Sequence, residues 1–466
     1  MRDVLDWLGK HHEDIVRNLA DLVAVPSIST DGEHAQEVER TAALTCRQMR
    51  EAGLQNVDVL RVDNSLPYAY GEWLNGPDKP TVFLYAHHDV QPINFEGQWK
   101  SDPWKLTRRD GRLFARGSAD DKGAIAAQLA AVTAFLKTRG SLPVNVKVLV
   151  EGEEEVGSRN LMQFFERYKQ KLLSDVIVVN DTENLEVGLP SITYSLRGIV
   201  AVQVEVETAT LPVHSGMAGG ALADAAIALN AILGRLSWNN GRLPIPGLYD
   251  SVRPLTDKER QAIRALPFDE AKLRHDLGIL PGVKLACETG KGVYEQTWRN
   301  PAVTVIAQEA SSIKSASNQV LPKAAAIVSC RIVPDQDPGQ VEKALTAFLT
   351  KDPPWGAKVT VKPQGDVKWW MTDPNGPAFE AALAAMRQGY DRDPIAIGCG
   401  GTIGFVGPLA ELFGGAPALL LGIEDPQSNA HAPNESLHEG DFKKLMASLA
   451  HLFENLGKLP PGRVKG

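Results

Sequence analysis

The sequence predicts an α/β fold whose main domain is interrupted by a smaller α+β unit. Residues 1–198 alternate helical patterns with short apolar runs, which is typical of a sheet with helical crossovers. Residues 199–373 alternate apolar and polar positions, as a half-exposed sheet does, and the first pattern returns in 374–466. We therefore expect a main domain built from the two outer segments, with the middle segment inserted between them.

In the first segment, apolar runs bounded by polar turns predict buried strands of a mostly parallel central sheet. These runs are TVFLYA (81–86), VNVKVLV (144–150) and DVIVVN (175–180). Periodic apolar positions predict helices over about 3–24, 41–53, 123–140 and 160–173. Because a helix separates the first two runs, we expect them to lie parallel.

In the middle segment, strand patterns outnumber helical ones. The predicted strands are GIVAVQVEVET, TVIAQEA, AAAIVSCRIV and AKVTVKP, and ADAAIALNAILGRL (223–236) predicts a helix. Two helices on one face of a four-stranded sheet form a plausible α+β unit. Beyond residue 373 we expect a helix in AFEAALAAMRQGY, a strand in APALLLGIED, a terminal helix in FKKLMASLAHLFENL, and a loose tail over 457–466.

Composition narrows the class of protein. The 466 residues suggest two or three domains, and a net charge of −8 argues against a nucleic-acid or anionic-membrane partner. Four widely spaced cysteines form no CxxC motif and are expected to be reduced. The first helix carries charges throughout, unlike a signal peptide, and no run of about 18 apolar residues predicts a membrane span. We therefore expect a cytoplasmic location.

Acidic and histidine side chains collect where the predicted strands end. The clusters are HHD (87–89), RGSADDKG (116–123), EEE (153–155), Asp181 and SNAHAPNE with His431. Singly, each is more often a hydrogen-bonded pair, a solvated surface or a helix start. Ligand sites of α/β sheets lie at the carboxyl ends of the strands, so five clusters there indicate a metal site. So many donors exceed what one zinc takes, which predicts two ions that share a carboxylate.

The chain resembles the M20 metallopeptidases, which are di-zinc exopeptidases, and within them the carnosinase-type dipeptidases. The matching segments are YAHHDVQP (85–92), GQWKSDPW (97–104), ARGSADDKG (115–123), EGEEEVGS (151–158), ITYSLRG (192–198), VHSGMAGG (213–220), SCRIVPDQDP (329–338), CGGT (399–402) and HAPNE (431–435). The resemblance implies a zinc-exopeptidase-like catalytic domain, formed by 1–198 and 374–466. It also implies a ferredoxin-like dimerisation and lid domain over 199–373.

The resemblance also implies a ligand set for two Zn²⁺ ions, with Mn²⁺ or Co²⁺ as possible alternatives. Its members are His87, Asp120, Glu155, Asp181 and His431. Asp120 would bridge the ions, with His87 and Asp181 on one and Glu155 and His431 on the other. The peptide bond after Asp120 is often cis in this family.

Two acidic residues would act beside the ions. Glu154 would be the general base, and Asp89 would orient the first histidine ligand. Glu153 is expected to be a bystander that points away from the site. His88 is expected not to be a ligand, because successive side chains of a strand point to opposite faces.

Four further residues would bind substrate. The resemblance places His214 in the active site of the partner subunit, which implies a homodimer, and Arg331 on the C-terminal carboxylate of a small peptide. Gly401 and Thr402 would contact the same end of the substrate. Trp99 and Trp104 are expected to serve packing.

The expected reaction is hydrolysis of dipeptides or similar small substrates with a free C-terminal carboxylate. An N-acyl-amino-acid deacylase, a desuccinylase or a glutamate carboxypeptidase of the same family stays open, because Gly398, Cys399 and Gly404 depart from the family's usual Arg-Glu-Gly-Gly-Ser-Ile-Pro. A tyrosine is also usual where His88 stands, and Lys-Thr where SNQ (317–319) stands. A non-catalytic metal-binding protein would not need Glu154, and no nucleotide-binding glycine loop is found.

Overall fold

The computed structural model describes residues 1–237, 240–460 and 464. The described helices, in chain order, are α1 Arg2–Lys10, α2 His12–Val23, α3 Ala35–Glu51, α4 Lys122–Arg139, α5 Leu161–Leu172, α6 Ser215–Ala218, α7 Ala225–Gly234, α8 Asp257–Arg264, α9 Glu270–Asp276, α10 Val293–Arg299, α11 Pro338–Thr350, α12 Pro377–Tyr390, α13 Val406–Leu412 and α14 Glu439–Leu456.

The described strands are β1 Gln55–Leu60, β2 Tyr68–Trp73, β3 Thr81–His87, β4 Thr107–Arg109, β5 Arg112–Phe114, β6 Asn145–Glu151, β7 Val176–Val179, β8 Ser191–Leu196, β9 Gly198–Glu207, β10 Val213–His214, β11 Ala302–Glu309, β12 Gln319–Val320, β13 Lys323–Ile332, β14 Lys358–Val367, β15 Trp370–Met371, β16 Ile395–Cys399, β17 Ala418–Leu421 and β18 Ser436–His438.

The main sheet has the strand order β1-β2-β6-β3-β7-β17-β8-β15, and β16 also pairs with β8. Its centre, β6-β3-β7-β17, is parallel, which confirms the α/β prediction. The sheet as a whole is mixed rather than mostly parallel, because β1, β2, β8 and β15 add antiparallel pairs. These flanking strands are short or partly polar, so they lack the continuous apolar runs that mark a buried parallel strand.

Both faces of the main sheet are covered, and strand β3 shows how. Val82, Leu84 and Ala86 join the core under α1, α2, α4, α12 and α14. Phe83 and Tyr85 join the core on the other face, under α5 and α13. Since successive residues of a strand point to opposite faces, a run with no polar residue is what a doubly covered strand requires. The polar residues that follow this run therefore fall at the end of the strand, where His87 is the last residue of β3.

The first predicted helix is two helices. α1 and α2 are separated at His11, where φ is −104° and ψ is 15°. The imidazole of His11 stacks on Trp7 with centroids 4.2 Å apart, and its Nδ1 lies 2.9 Å from the Trp7 carbonyl oxygen. A polar side chain that bonds the carbonyl of the preceding turn competes with the helical ladder, and apolar periodicity alone does not show this break.

The middle segment contains an antiparallel four-stranded sheet with the order β11-β13-β9-β14. Its inner face carries Val200, Val202, Val204 and Val206 of β9 against α7 and α11. We call this sheet with its two helices the inserted unit. All four strands coincide with the predicted ones. The boundaries at residues 198 and 373 stay predictions.

Two findings concern membranes and the C-terminal segment. No helix among the described residues is long and apolar enough to span a bilayer. The predicted loose tail, 457–466, lies partly outside the described residues, but Val464 is described and is buried in the core of the main domain. Within that segment the prediction is therefore wrong for Val464.

Candidate metal centre and substrate cavity

The loop between β5 and α4 carries Asp120 at its tip and is held by a buried carboxylate. Glu435, which is 0% exposed, accepts hydrogen bonds from the backbone N–H groups of Gly117, Ala119 and Asp120 at 2.9, 2.9 and 3.0 Å. The Arg116 guanidinium donates to the same carboxylate at 2.7 Å. The Asp120–Asp121 peptide bond is cis. Glu435 was missed as a functional residue, although it lies in the quoted segment HAPNE.

His87 ends β3, and Asp89 holds it and its neighbours. The Nδ1 atom of His87 lies 3.4 Å from Asp89 Oδ1 and 3.1 Å from the Asp89 carbonyl oxygen. Asp89 also accepts hydrogen bonds from the backbone N–H groups of Glu154 and Glu155, at 3.2 and 3.0 Å, and from Ser29 Oγ at 2.6 Å. Asp89 is thus placed to orient both the histidine and the glutamate turn.

The three consecutive glutamates face different surroundings. Glu154 lines a cavity, and Glu155 accepts a hydrogen bond of 2.7 Å from Gln91 Nε2. Glu153 points away from them, as expected, but it is not a bystander. It is 3% exposed and accepts hydrogen bonds from Tyr68 Oη, from Leu66 N, and from both N and Nδ2 of Asn160. A buried carboxylate with four donors fixes the local fold, and the adjacent charges in the sequence do not indicate this.

The predicted ligands meet in two groups that share Asp120. In the first group, His87 Nε2 lies 3.0 Å from Asp120 Oδ1 and 4.0 Å from Asp181 Oδ2. In the second group, His431 Nε2 lies 2.9 Å from Asp120 Oδ2 and 3.2 Å from Glu155 Oε2. Within each group the donor atoms all lie within 4.8 Å of one another. Because the two oxygens of Asp120 face different groups, this residue has the geometry that a bridging ligand needs.

The electrostatics of the centre favour a cation. Burial, with Asp121 and Asp120 nearby, holds the pKa of Asp181 well above its usual range. Burial and Asp120 also raise the pKa of Glu155, and burial with Glu155 and Asp120 raises that of Glu154 to about 8. The pKa values are raised because buried carboxylates that lie close together repel one another when they are all ionised. Divalent cations cancel that repulsion, so the donor set fits two ions bound by histidine and carboxylate.

Both histidines of the centre carry raised pKa values. Burial lowers the pKa of His87, but hydrogen bonds with Asp120 and Asp89 outweigh it and hold the pKa well above 6.5. Hydrogen bonds with Asp120 and Glu155 raise the pKa of His431 to about 11. His431 is 57% exposed and has a left-handed φ of 63°. His88, by contrast, is buried against the Pro67 carbonyl and belongs to neither group.

A cavity of about 1050 Å³ opens beside the centre. Asp120, Glu154, Asp181 and His431 line one part of it. Another part is lined by Arg197, Arg331 and residues 398–403, which are the end of β16 and the loop after it. Helices α9 and α10 contribute a further wall, so the cavity collects residues from distant parts of the chain.

The predicted substrate residues divide into two sets. Arg331, Gly401 and Thr402 line the cavity, and Arg331 Nη1 donates to Thr402 Oγ1 at 2.6 Å. His214 is exposed on β10 and is not among the residues that line the cavity of its own chain. Its Nδ1 accepts a hydrogen bond from the backbone N–H of Gly216. A role for His214 in a partner's site stays a prediction.

Two of the positions that depart from the expected pattern, Gly398 and Gly404, have steric reasons in this chain. A Cβ on Gly398 would lie 2.9 Å from Trp298 Cβ and 3.0 Å from Ser195 Oγ, so α10 packs where a side chain would stand. A Cβ on Gly404 would lie 2.8 Å from Val367 Cγ1. The Cζ atom of Arg116 lies 5.5 Å from the centroid of the Trp99 ring. Trp99 is not among the residues that line the cavity, which agrees with a packing role.

The fold and a paired donor centre beside a cavity define a hydrolase-like α/β architecture, and comparison with known proteins identifies the family. The model of peptidase family M20/M25/M40 matches residues 83–455, and the chain belongs to this family. It is 31% identical to the cysteinylglycine-S-conjugate dipeptidase of Corynebacterium striatum over 97% of both chains.

Two solved structures are similar over nearly the whole chain. The dipeptidase Dug1p of Saccharomyces cerevisiae aligns with a TM-score of 0.88 and 25% identity, covering 98% of each chain. Human carnosine dipeptidase 1 aligns with a TM-score of 0.86 and 28% identity, also covering 98% of each chain. The resemblance stated from the sequence is therefore confirmed at the level of family and fold.

Proposed function

We propose that this chain is a metallopeptidase that hydrolyses dipeptides, or close analogues, with a free C-terminal carboxylate. The observation that carries the proposal is the arrangement of the cavity. Asp120 is shared by two donor groups beside Glu154, and the same cavity contains a guanidinium, Arg331, that fits a carboxylate. The names of the relatives, which are dipeptidases, support the same substrate class.

In this proposal His87 and Asp181 would hold one ion, Glu155 and His431 would hold the other, and Asp120 would serve both. When bound, such ions lower the pKa of water and polarise the scissile carbonyl group. We assign them as zinc, with manganese and cobalt as alternatives to be tested on metal-stripped protein.

The chain's own residues then handle substrate and protons. Arg331 binds the C-terminal carboxylate, and its bond to Thr402 fixes the guanidinium. Glu154 lines the cavity, and its side-chain carboxylate accepts no hydrogen bond from the described residues. It takes a proton from the attacking water and delivers it to the leaving amine. Asp89 positions Glu154 through the backbone N–H bond described above.

The first test asks whether Glu154 is the general base or a metal ligand. The Glu154→Gln variant is expected to bind as much metal as wild type, which inductively coupled plasma mass spectrometry measures. Its kcat is expected to be about 10²–10⁴-fold lower. Glu166→Gln, on the exposed face of α5, is the matched control and should behave as wild type. Retention of most activity by Glu154→Gln would refute its assignment as base.

The second test concerns the substrate. A panel of unmodified dipeptides is compared with N-acetyl and N-succinyl amino acids, using protein reconstituted with zinc, manganese or cobalt. We expect dipeptides to be cleaved faster than acylated amino acids. Rapid deacylation without dipeptide turnover would replace the proposal with a deacylase or desuccinylase.

We further propose a homodimer in the cytoplasm, in which 199–373 forms the dimerisation and lid domain. Support comes from apolar side chains exposed on the inserted unit, with Val305 39%, Ile306 60% and Ile227 59% exposed. Four free thiols suit a reducing compartment. In a dimer, His214 would complete the partner's cavity, where it would donate to the oxyanion.

Complementation tests the shared site. Glu154→Gln and His214→Ala are each expected to be nearly inactive. A refolded equimolar mixture should recover about 25% of wild-type activity, because half of the dimers are mixed and each contains one intact site. No recovery, with mixed dimers shown by native mass spectrometry, would place His214 outside the partner's site.

A further inference from the structure

The cavity contains a second guanidinium, that of Arg197, whose role the sequence pattern does not indicate. Arg197 follows β8, and it is fixed by its backbone N–H to the Gly401 carbonyl at 3.0 Å and by its Nε to the Gly400 carbonyl at 2.9 Å. Thr402 Oγ1 donates to the Arg197 carbonyl at 2.7 Å and accepts from Arg331 at 2.6 Å. One hydroxyl group therefore links the two arginines.

Neither guanidinium has an acidic partner within the part of the chain that the structure describes. Among the ion pairs of the described residues, none includes Arg197 or Arg331, although buried or half-buried arginines are usually paired. The titratable groups close to Arg197 are Arg331, Cys399 and Cys330. Burial raises the pKa of both thiols to about 12, so they are neutral and leave the two positive charges uncompensated.

The geometry leaves the outer nitrogens of Arg197 available. Its Nη atoms donate to no acceptor among the described residues, and the side chain lines the cavity. A Cβ on Gly400 would lie 2.9 Å from Arg197 Nη2, so the absence of a side chain at residue 400 leaves room for the guanidinium. Arg197 is thus held by its backbone and its Nε atom, and its two Nη atoms are left free to bind a ligand in the cavity.

We propose that Arg197 binds a second carboxylate of the substrate, so that the enzyme prefers dipeptides whose C-terminal residue is aspartate or glutamate. The inference rests on the proposed function, in which Arg331 binds the C-terminal carboxylate. One bidentate guanidinium satisfies one carboxylate. A second unpaired guanidinium in a partly desolvated cavity is costly unless a second anion meets it, and an acidic side chain next to the C-terminal carboxylate supplies that anion.

Isosteric substrate pairs test this preference. Kinetics on wild-type protein compare Ala-Glu with Ala-Gln and Ala-Asp with Ala-Asn, which differ in charge and hardly in shape. We expect kcat/KM to be about 10- to 100-fold higher for the acidic member, mostly through KM. Equal values, or a preference for the amides, would overturn the proposal.

Variants assign the preference to Arg197. Arg197→Met is expected to lower the ratio of Ala-Glu to Ala-Gln to below about threefold, and Arg197→Lys to keep an intermediate ratio. Arg47→Met, at an exposed arginine of α3, is the matched control and should keep the wild-type ratio. If Arg197→Met lowers kcat/KM for both substrates equally, Arg197 only supports the loop 399–402 and the proposal is wrong. If the variant does not fold, the wild-type comparison still decides.

Product binding distinguishes this inference from the proposed function. Calorimetry measures the affinity of free glutamate and free glutamine for the protein, and it requires no turnover. Tighter binding of glutamate in a protein that cleaves no dipeptide would support the second carboxylate site and refute the dipeptidase function. Dipeptide cleavage with equal binding of glutamate and glutamine would refute the second carboxylate site and leave the function standing.

Discussion

Replacing Glu435 by glutamine tests whether one carboxylate supports the metal centre. Glu435 accepts three backbone hydrogen bonds in the loop that carries Asp120, and it pairs with Arg116, which is 1% exposed. Glutamine keeps one acceptor oxygen but turns the other into a donor. If the remaining oxygen faces Ala119 and Asp120, the amide NH₂ faces Arg116 and Gly117, which are also donors.

The expected cost follows from the buried pair. Removing one partner of a buried ion pair costs about 3–5 kcal/mol, and no other carboxylate among the described residues pairs with Arg116. At an unfolding entropy of about 2.1 cal/mol/K per residue, this corresponds to a fall in Tm of about 5–8 °C for the expected main domain, 1–198 and 374–466. Because the same loop positions Asp120, we also expect metal affinity to fall about 10- to 100-fold.

Two measurements check the prediction. Differential scanning calorimetry of metal-free protein gives Tm, and competition with a chromophoric chelator gives zinc affinity. Glu380→Gln, at an exposed position of α12, is the control and should lie within about 0.5 kcal/mol of wild type. If Glu435→Gln is as stable as this control and binds zinc as tightly, the carboxylate does not support the loop.

Three further changes have definite expectations. Burial lowers the pKa of Lys122 from 10.5 to about 7, so the folded chain releases this proton at a lower pH than the unfolded chain does. The free energy of unfolding should therefore rise between pH 7 and pH 10, by up to about 1.4 kcal/mol per pH unit. Lys122→Met should flatten that slope in urea unfolding at pH 7, 8 and 9, and an unchanged slope would contradict the assignment. Glu153→Gln should cost about 2–3 kcal/mol in urea unfolding while leaving the metal content intact, and loss of metal without loss of stability would contradict its structural role. Gly398→Ala should lower the free energy of unfolding by about 1–3 kcal/mol, because the new Cβ would lie too close to Trp298. A Tm equal to that of wild type would show that α10 shifts to accommodate the methyl group at no cost.

Structure was predicted most accurately from the sequence at positions where a residue pattern has only one physical explanation. The apolar run TVFLYA is buried on both faces, and it became the central parallel strand β3. The residues that follow such strands met at one edge because parallel strands share a direction, which is why His87 and Asp181 lie together. The family and the fold could be predicted because many short motifs occur in the same order, and together they are far more specific than any one of them.

Prediction failed where an isolated pattern has several physical outcomes. Glu153 and Glu154 are neighbours of the same type, yet one is buried among four donors and the other lines the cavity. Only the positions of Tyr68 and Asn160 in three dimensions separate the two roles. Arg197 was overlooked for a related reason, since its lack of an acidic partner is visible only once the sheet and the loop 399–402 have met.

The pairing of Arg116 with Glu435 has a consequence for the making of the enzyme. The two residues are 319 positions apart, and Asp120 stands in the loop that their contact closes. During synthesis the amino-terminal strands leave the ribosome first and begin to fold. The loop can adopt its final shape only after residue 435 has also emerged. A nascent chain therefore carries most of the proposed ligand residues before the centre can form. Hydrolytic competence is then expected only in a chain whose folding is nearly complete.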